Sequence, residues 1–339
     1  MTTISDEYFR DELLDRRRHV QQARRTSAAG TDQLSRLLAE IDAALDRIGH
    51  GTYRVCEVCR EGIEADRLAR DPLTRCCSDH PAPDEAARVE RDLALARSVQ
   101  LGLLPPLCRT IDGWRFSYRY EAAGEVGGDF CDVIPITSRG QTLVLVGDVS
   151  GKGIAASMLM TSLLATFRSL SSLGLPTGEL LARVNDLFHD TAPASSYATL
   201  AAAALAPDGS VDLYSAGHWP PLLRTGRMTT TVPIEPGLPL GLFAGSQYPA
   251  TRVALHPSDT LLFFTDGAVE AENADGEDYG SRRLSETLAS IDDEHLDALV
   301  AACVGDVRRF QDASRPGDDL LLFAVKAARA GRTPASRVA

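Results

Sequence analysis

Several aspartates stand in turns at the ends of apolar runs, where a strand would begin or end. They are Asp129 and Asp132 in VGGDFCD, Asp148 in GDVSG, Asp266 in FTDGAVE, and Asp318 and Asp319 in PGDDLLL. One such turn alone indicates no chemistry, because aspartate and glycine are ordinary turn residues. Strand ends that meet in a sheet would gather the carboxylates, and hard divalent cations would relieve their repulsion. All-oxygen ligands suit magnesium or manganese, so the pattern predicts a metal site.

The run GDVSGKGIAAS at 147–157 has the glycines and the lysine of a phosphate-binding loop, but its spacing excludes one. A Walker A loop needs four residues between its glycines and a Ser or Thr after the lysine. Here three residues separate Gly147 from Gly151, and Gly153 follows Lys152. The chemistry of this run therefore rests on Asp148.

A second set of ligand-type residues lies in the first hundred positions. Cys56 and Cys59 form a C-x-x-C pair, Cys77 and His80 form a C-x-x-H pair, and 17 residues separate the two pairs. Each pair can present two ligands to one tetrahedral Zn²⁺, so the spacing predicts a structural zinc site. Cys76 lies one residue too far from His80 for this spacing and is predicted to be a free thiol.

The elements that would position the aspartates follow from the hydrophobic pattern after Trp114. Residues 153–173 and 177–190 have helical periodicity. The apolar runs that read as strands are FSYRYEAA, TLVLVGDVS, YATLAAAAL, SVDLYSAG, TLLFFTDG and DDLLLFAVK. Strands outnumber helices and some are joined by tight turns, which favours an α+β sandwich over an alternating βαβ sheet.

The ordered motifs resemble the metal-dependent PPM-type serine/threonine phosphatases, in the bacterial SpoIIE/RsbU branch. The resemblance covers residues 95 to 326 and rests on AGEVGGDFCDV, LVGDVSGKGIAASMLM, YATLAAAAL, YSAGHWPPLL, GLPLGL, LLFFTDGAVEAENADGEDYG and GDDLLLFAVK. It implies a four-layer αββα sandwich with two Mg²⁺ or Mn²⁺ ions between the sheets. It also implies hydrolysis of phosphoserine or phosphothreonine on a small cytoplasmic regulator, an anti-sigma-factor antagonist.

The resemblance implies a role for each matching residue. Asp148 would bridge the two ions, and the carbonyl of Val149 would also coordinate. Asp266 and Asp318 would complete the second ion. Asp319 is the alternative to Asp318, because adjacent strand positions face opposite ways.

The remaining residues of the motifs have implied roles around the ions. Asp129 would lie at the site directly or through water, and Asp132 would support it. Glycines would let the main chain approach the ions closely; they are Gly127, Gly128, Gly151 and Gly153. The implied catalytic residues are Asp129, Asp148, Asp266 and Asp318.

The implied mechanism is direct hydrolysis. Two ions about 3.5 to 4 Å apart lower the pKa of a bridging water and clamp the phosphate for in-line displacement, so no protein nucleophile is needed. Cys131 is accordingly expected to serve packing. Lys152 is interpreted either as a phosphate contact or as a solvated turn residue. For His218, fixing a loop between two strands is favoured over a general-acid role.

The cysteine-containing segment resembles the zinc finger of the DksA/TraR family, through ALDRIGHGTYRVCEVC, GIEADRLARDP and the second ligand pair. His80 stands where that family usually has a fourth cysteine. Members of the family reach RNA polymerase through a long coiled-coil tip, whereas the hairpin here is short. A structural or redox-sensing finger is therefore expected, and polymerase binding is not.

Helical patterns fill the rest of the N-terminal part. Apolar steps of three and four predict two helices joined by a turn at 26–32, as an antiparallel hairpin. In the helix after PAPD, which ends before Pro105, a heptad-like seam is formed by Ala86, Val89, Leu93, Ala96, Gln100 and Leu103. This seam fits either a homodimer through residues 84–104 or packing against the chain's own catalytic domain.

These patterns divide the chain into four parts. They are a hairpin with a zinc finger (1–80), a linker or regulatory helix (84–106), a phosphatase domain (107–328) and a flexible tail (329–339). The 339 residues carry a net charge of −12, which argues against a nucleic-acid-coating surface. The apolar stretches read as shorter than a membrane span and the N-terminus is not signal-like, so a cytoplasmic location without membrane contact is expected. The alternative function is a catalytically weak scaffold or an RNA-polymerase-associated regulator that uses the finger.

Overall fold

A computed structural model of the chain describes residues 6–26, 31–80, 83–291, 295–311 and 317–327. The chain divides into two units, residues 1–92 and 93–339. The predicted tail at 329–339 lies outside the described residues.

The first unit is helical and has its own small core. Its helices before residue 80 are α1 (Asp6–Thr26), α2 (Thr31–Gly49) and α3 (Ala65–Arg70). Apolar residues three and four apart put Phe9, Leu13 and Ile41 into the core, where all three are fully buried. The predicted turn between the first two helices falls largely on residues 27–30, which are outside the described part.

The second unit contains two antiparallel sheets. Its strands are β1 (Cys108–Ile111), β2 (Trp114–Glu121), β3 (Phe130–Ile136), β4 (Gln141–Val149), β5 (Ala198–Leu205), β6 (Ser210–Ala216), β7 (Leu222–Thr225), β8 (Met228–Thr231), β9 (Thr251–Ala254), β10 (Thr260–Phe264) and β11 (Leu320–Ala327). One sheet has the order β1-β2-β11-β10-β7-β8 and the other β3-β4-β5-β6-β9.

Helices cover the outer face of each sheet. They are α5 (Gly153–Ser171), α6 (Thr177–Thr191), α7 (Asp266–Val269), α8 (Gly280–Ser290) and α9 (Leu296–Gln311), and α4 (Pro83–Leu103) precedes the first strand. Of these, α5 packs on β3 and β4, whereas α9 packs on β2 and β11. The unit therefore has the four layers helix, sheet, sheet, helix.

Alternation along the strands builds two cores. In β11, Leu321 and Phe323 face the core between the sheets, whereas Leu320 and Leu322 face the core under α8 and α9. Strands buried on both faces read as continuous apolar runs, which explains the run LLLFAV.

Among the described residues, one helix, α5, is long and apolar enough by length and composition to cross a membrane. The sequence predicts a helix at 153–173, but its apolar stretches read as shorter than a membrane span because serines and threonines interrupt them. A core helix passes the same criterion, and α5 buries Met160, Leu164 and Phe167 in the core of the second unit.

Candidate metal centre

The strand ends that carry the aspartates meet at one edge of each sheet. In the five-stranded sheet, Phe130 at the start of β3 pairs with Gly147 near the end of β4. Asp129 and Asp148 flank this pair. In the six-stranded sheet, the end of β10 lies beside the start of β11, so the residues that follow β10 and precede β11 share an edge.

Hydrogen bonds join these edges across the two sheets. The Thr265 hydroxyl donates to Asp129 Oδ2 at 2.7 Å, and the Gly128 N–H donates to Asp319 Oδ2 at 2.7 Å. These bonds bring Asp129 and Asp319 together. Electrostatic interactions link Asp148 to Asp129, Asp266, Asp318 and Asp319, and the Val149 carbonyl lies beside Gly128.

The carboxylates perturb one another. Burial raises the pKa of Asp148 to about 7, and the charges of Asp266 and Asp318 add to the effect. Burial and the Asp148 charge raise the pKa of Asp129 well above its usual range. Burial and Asp318 also raise the pKa of Asp266. A cation would remove this cost, so the all-oxygen donor set fits Mg²⁺ or Mn²⁺.

The two adjacent aspartates have different surroundings. The Asp319 side chain is buried, and its oxygens accept hydrogen bonds from the N–H groups of Ala123 at 2.8 Å and Gly128 at 2.7 Å. Asp318 has a 43% exposed side chain. With an N–H group bound to each of its oxygens, Asp319 serves the loop at 123–129. Asp318 pairs with Lys152, and its charge raises the pKa of Asp148 and Asp266. This arrangement favours Asp318 as the ligand.

Two glycines bring the main chain close to the carboxylates. A Cβ at Gly128 would lie 2.6 Å from the Val149 carbonyl oxygen and 3.0 Å from Asp148 Oδ1. A Cβ at Gly127 would lie 1.9 Å from Asp319 Oδ2. Gly151 and Gly153 were also expected to let the main chain approach the ions, but a Cβ at either position would meet open space. Glycine suits these positions instead through their φ of +101° and +70°.

Lys152 lies at the rim of the cluster. Its Nζ is 2.9 Å from Asp318 Oδ2 and donates to the Gly317 carbonyl at 2.6 Å. The hydrogen bond to Asp318 raises the pKa of Lys152. A cavity of about 440 Å³ opens beside this pair, and Val126 and Ile154 are among its lining residues. The ammonium group therefore pairs with Asp318, although the Lys152 side chain is 65% exposed.

Three other residues that were singled out in the sequence have side chains that bond or pack with groups other than the carboxylates of the cluster. Asp132 accepts a hydrogen bond from Arg168 Nε at 2.7 Å, and Cys131 is fully buried in the core. His218 is buried, with Nδ1 2.8 Å from Thr199 Oγ1 and Nε2 3.1 Å from the Phe264 carbonyl. Burial lowers the pKa of His218 to about 4, so the ring is neutral near pH 7. A neutral ring held between Thr199 and the Phe264 carbonyl fits the loop-fixing role.

The sequence reading missed the role of Thr265 and placed Gln100 only in a helix seam. The Thr265 hydroxyl accepts a hydrogen bond from the Leu321 N–H at 3.0 Å while it donates to Asp129. Its position before the aspartate of FTDG was the available signal. Gln100 is buried beside Gly127. In the sequence, its only sign of a role was that it is a polar residue in an apolar seam.

A second group of ligand atoms lies in the first unit. Cys56, Cys59, Cys77 and His80 each bring one ligand atom to within 4.8 Å of the others. Burial opposes ionisation of Cys56, but hydrogen bonds from the backbone amides of Cys59 and Cys77 outweigh it and lower the pKa of Cys56 to about 6. Burial raises the pKa of Cys77 in the same group to about 11. The thiolate is the form that binds metal, and a bound cation would favour it, so the four ligand types and their closeness fit Zn²⁺.

Comparison with known proteins agrees with the geometry of the second unit. The family model described as Stage II sporulation protein E (SpoIIE) matches residues 138–328, more than half of the chain. The chain belongs to the SpoIIE family. Among the proteins that the chain resembles, RsbU is named a phosphoserine phosphatase, and the solved structure of SpoIIE contains a PP2C phosphatase domain.

Individual relatives cover parts of the chain. Phosphoserine phosphatase RsbU of Bacillus subtilis is 25% identical over 193 residues, which are 56% of this chain and 56% of RsbU. The structure of the RsbU and RsbW domains of Rv1364c from Mycobacterium tuberculosis has 29% identity and a TM-score of 0.55, covering 63% of this chain and 61% of that one. The SiaA-PP2C domain of Pseudomonas aeruginosa shares the fold, with a TM-score of 0.61, 17% identity and coverage of 71% and 97%. The chain spans about half the length of the curated relatives that it matches.

Proposed function

We propose that this SpoIIE-family protein is a Mg²⁺- or Mn²⁺-dependent phosphatase that removes phosphate from serine or threonine of a cytoplasmic regulatory protein. The observation that supports the metal dependence is the convergence of carboxylates from both sheets, with the pKa of Asp148 raised to about 7. By resemblance to the SpoIIE/RsbU branch, the substrate is an anti-sigma-factor antagonist.

The proposed mechanism assigns separate tasks to the residues of the centre. Asp148, Asp266, Asp318 and the Val149 carbonyl would hold two ions, with Asp129 in direct or water-mediated contact. When bound, the ions supply an activated water and a clamp on the phosphate oxygens. Thr265 orients Asp129 by its hydrogen bond. The Lys152 ammonium, beside the cavity at Asp318, is placed to neutralise an incoming phosphate.

The test is phosphate release from an aryl phosphate and from a phosphoserine peptide, with and without Mn²⁺. Asp148→Asn is expected to lower the rate on the order of 100-fold or more, because it removes a carboxylate charge that would hold the ions. Asp208→Asn is the matched control. Asp208 is an exposed turn residue that accepts from Ser210, at the end of β5 remote from Asp148. Equal Mn²⁺-dependent release by wild-type and Asp148→Asn protein would refute the proposal.

We further propose that the first unit is a DksA/TraR-like zinc finger that stabilises this unit and, through α4, regulates the phosphatase. The supporting observation is the group formed by Cys56, Cys59, Cys77 and His80. Metal analysis should find one zinc per wild-type chain and less in Cys56→Ser. Cys76→Ser is the matched control, since Cys76 is also buried but is not in the group. Wild-type protein without zinc would contradict the assignment.

The alternative is a scaffold that binds RNA polymerase through this finger. A polymerase pull-down distinguishes the two functions. Retention that survives Asp148→Asn and is lost in Cys56→Ser would favour the scaffold, whereas no retention by the wild-type protein would exclude it.

A further inference from the structure

One glutamine of α4 is bonded to the loop that carries Asp129. Gln100 is 3% exposed. Its Nε2 donates to the Gly127 carbonyl at 2.8 Å, and its Oε1 accepts from the Gly127 N–H at 3.2 Å. A buried side-chain amide that satisfies both polar groups of one residue fixes that residue's main chain, much as a neighbouring strand would.

Gly127 is confined on its other side by Asp319. A Cβ at Gly127 would lie 1.9 Å from Asp319 Oδ2, and the same oxygen accepts from the Gly128 N–H at 2.7 Å. The loop is therefore held between a glutamine and a carboxylate, each bonded to its main chain. Among the described residues of α4, Gln100 alone is hydrogen-bonded to Gly127.

The held segment leads directly into the metal centre. Gly128 packs against the Val149 carbonyl and Asp148, and the following residue is Asp129, which Thr265 orients. The distance along the chain from Gly127 to Asp129 is two residues. Because only Gly128 lies between them, a shift of the Gly127 main chain would also displace Asp129.

We propose that Gln100 is a positioning residue of the metal centre, which sets the main chain at 127–129 so that Asp129 lies where it would contribute, with Asp148, to cation binding. This inference rests on the proposed metal dependence. It goes beyond a role in packing, because a packing residue would support α4 without fixing the geometry around the carboxylates.

The experiment uses the full chain with Gln100→Met, which keeps the length of the side chain and removes both hydrogen bonds to Gly127, together with the 3.4 Å hydrogen bond from Gln100 Nε2 to the Tyr120 hydroxyl. Gln100→Glu is the second variant. It keeps an acceptor for the Gly127 N–H but places an oxygen against the Gly127 carbonyl. Val99→Ala is the matched control, because Val99 is the adjacent residue of α4 and is 56% exposed.

Two readouts do not depend on turnover. Hydrogen exchange of the metal-free protein reports the Gly127 amide, and titration calorimetry with Mn²⁺ alone reports binding. In both Gln100 variants, exchange at 123–129 is expected to accelerate and Mn²⁺ affinity to fall by about tenfold, the value of one to two buried hydrogen bonds. Val99→Ala should match the wild-type protein in both.

The outcomes separate this inference from the proposed function. A lower unfolding temperature in the Gln100 variants, with unchanged exchange at 123–129 and unchanged Mn²⁺ affinity, would reduce Gln100 to a packing residue and overturn the inference. Wild-type protein that binds no Mn²⁺ would overturn the metal centre itself. If Gln100→Met does not fold, Gln100→Glu decides the question by the same two readouts.

Discussion

Asp318 and Asp319 are adjacent in the chain, yet the structure predicts opposite consequences when each is changed to asparagine. Asp319 accepts from the N–H groups of Ala123 and Gly128, one on each oxygen. An asparagine has one acceptor oxygen and one NH₂ group. The NH₂ group would therefore face one of these N–H groups, and two donors cannot form a hydrogen bond. Asp319→Asn is therefore expected to destabilise the second unit.

The size of that destabilisation follows from the bond that is lost. A hydrogen bond to a charged group contributes about 1.5 to 3 kcal/mol, and a buried donor left without a partner adds to the cost. About 3 kcal/mol is a reasonable total. For a domain of this size, about 2 to 4 °C is lost per kcal/mol, so the unfolding temperature should fall by about 6 to 12 °C.

Asp318→Asn should behave differently. Its ion pair with Lys152 is between side chains that are 43% and 65% exposed, and exposed pairs contribute about 1 kcal/mol or less. The substitution also removes a charge that raises the pKa of Asp148 and Asp266. The unfolding temperature in the absence of metal should therefore stay within about 2 °C of the wild-type value, while Mn²⁺-dependent phosphate release falls on the order of 100-fold.

Tryptophan fluorescence measures the stability of the second unit selectively. The two tryptophans of the chain, Trp114 and Trp219, both lie in that unit. Thermal unfolding in chelator is compared with Mn²⁺ calorimetry and with aryl phosphate turnover. If Asp318→Asn unfolds early while Asp319→Asn keeps its stability and loses Mn²⁺ binding, then the two roles are reversed and our assignment of the ligand is wrong.

Two further predictions concern the charges of the centre. Lys152→Met should lower the Mn²⁺ concentration for half-maximal activity about threefold to tenfold, because the ammonium competes with a cation for Asp318; a Mn²⁺ titration with unchanged midpoint would contradict this. The pKa of Asp148, about 7 in the folded protein, exceeds its unfolded value of about 3.9. The native state then binds more protons between these values, so the stability that protonated Asp148 contributes to the metal-free protein should be lost as pH rises through about 7. Fluorescence-detected unfolding from pH 5 to 8 should show this loss, and Asp148→Asn should reduce it; equal slopes in the two proteins would refute it.

The position of the carboxylates was predictable because aspartates at the ends of apolar runs must share an edge when those runs pair. The roles of Asp318 and Asp319 were only partly predictable. Alternation places Asp319 on the same side as Leu321, which faces the core between the sheets. The donors that it meets there come from residues 123–129, almost two hundred positions earlier, and no local pattern specifies them.

The helix seam shows the same limit. Periodicity grouped Leu93, Ala96, Gln100 and Leu103 on one face of α4, and in the second unit these residues are buried or half-buried. A heptad pattern defines a face, but a second helix and a sheet edge can cover it equally well. Hydrogen bonds from Gln100 to Gly127 favour packing on the chain's own domain over this part of the helix. A homodimer through residues 84–104 stays a prediction.

The cost of gathering buried carboxylates suggests why the loop at 123–129 is held so closely. Without a cation, the raised pKa values of Asp129 and Asp148 mean that their ionised forms oppose the folded arrangement. Bonds from Gln100, Asp319 and Thr265 act on the same segment and offset that repulsion. A cation that binds only the folded centre stabilises it further by mass action. The residues that orient the site and those that keep it folded are therefore the same, so each substitution must be tested for stability and for metal affinity separately.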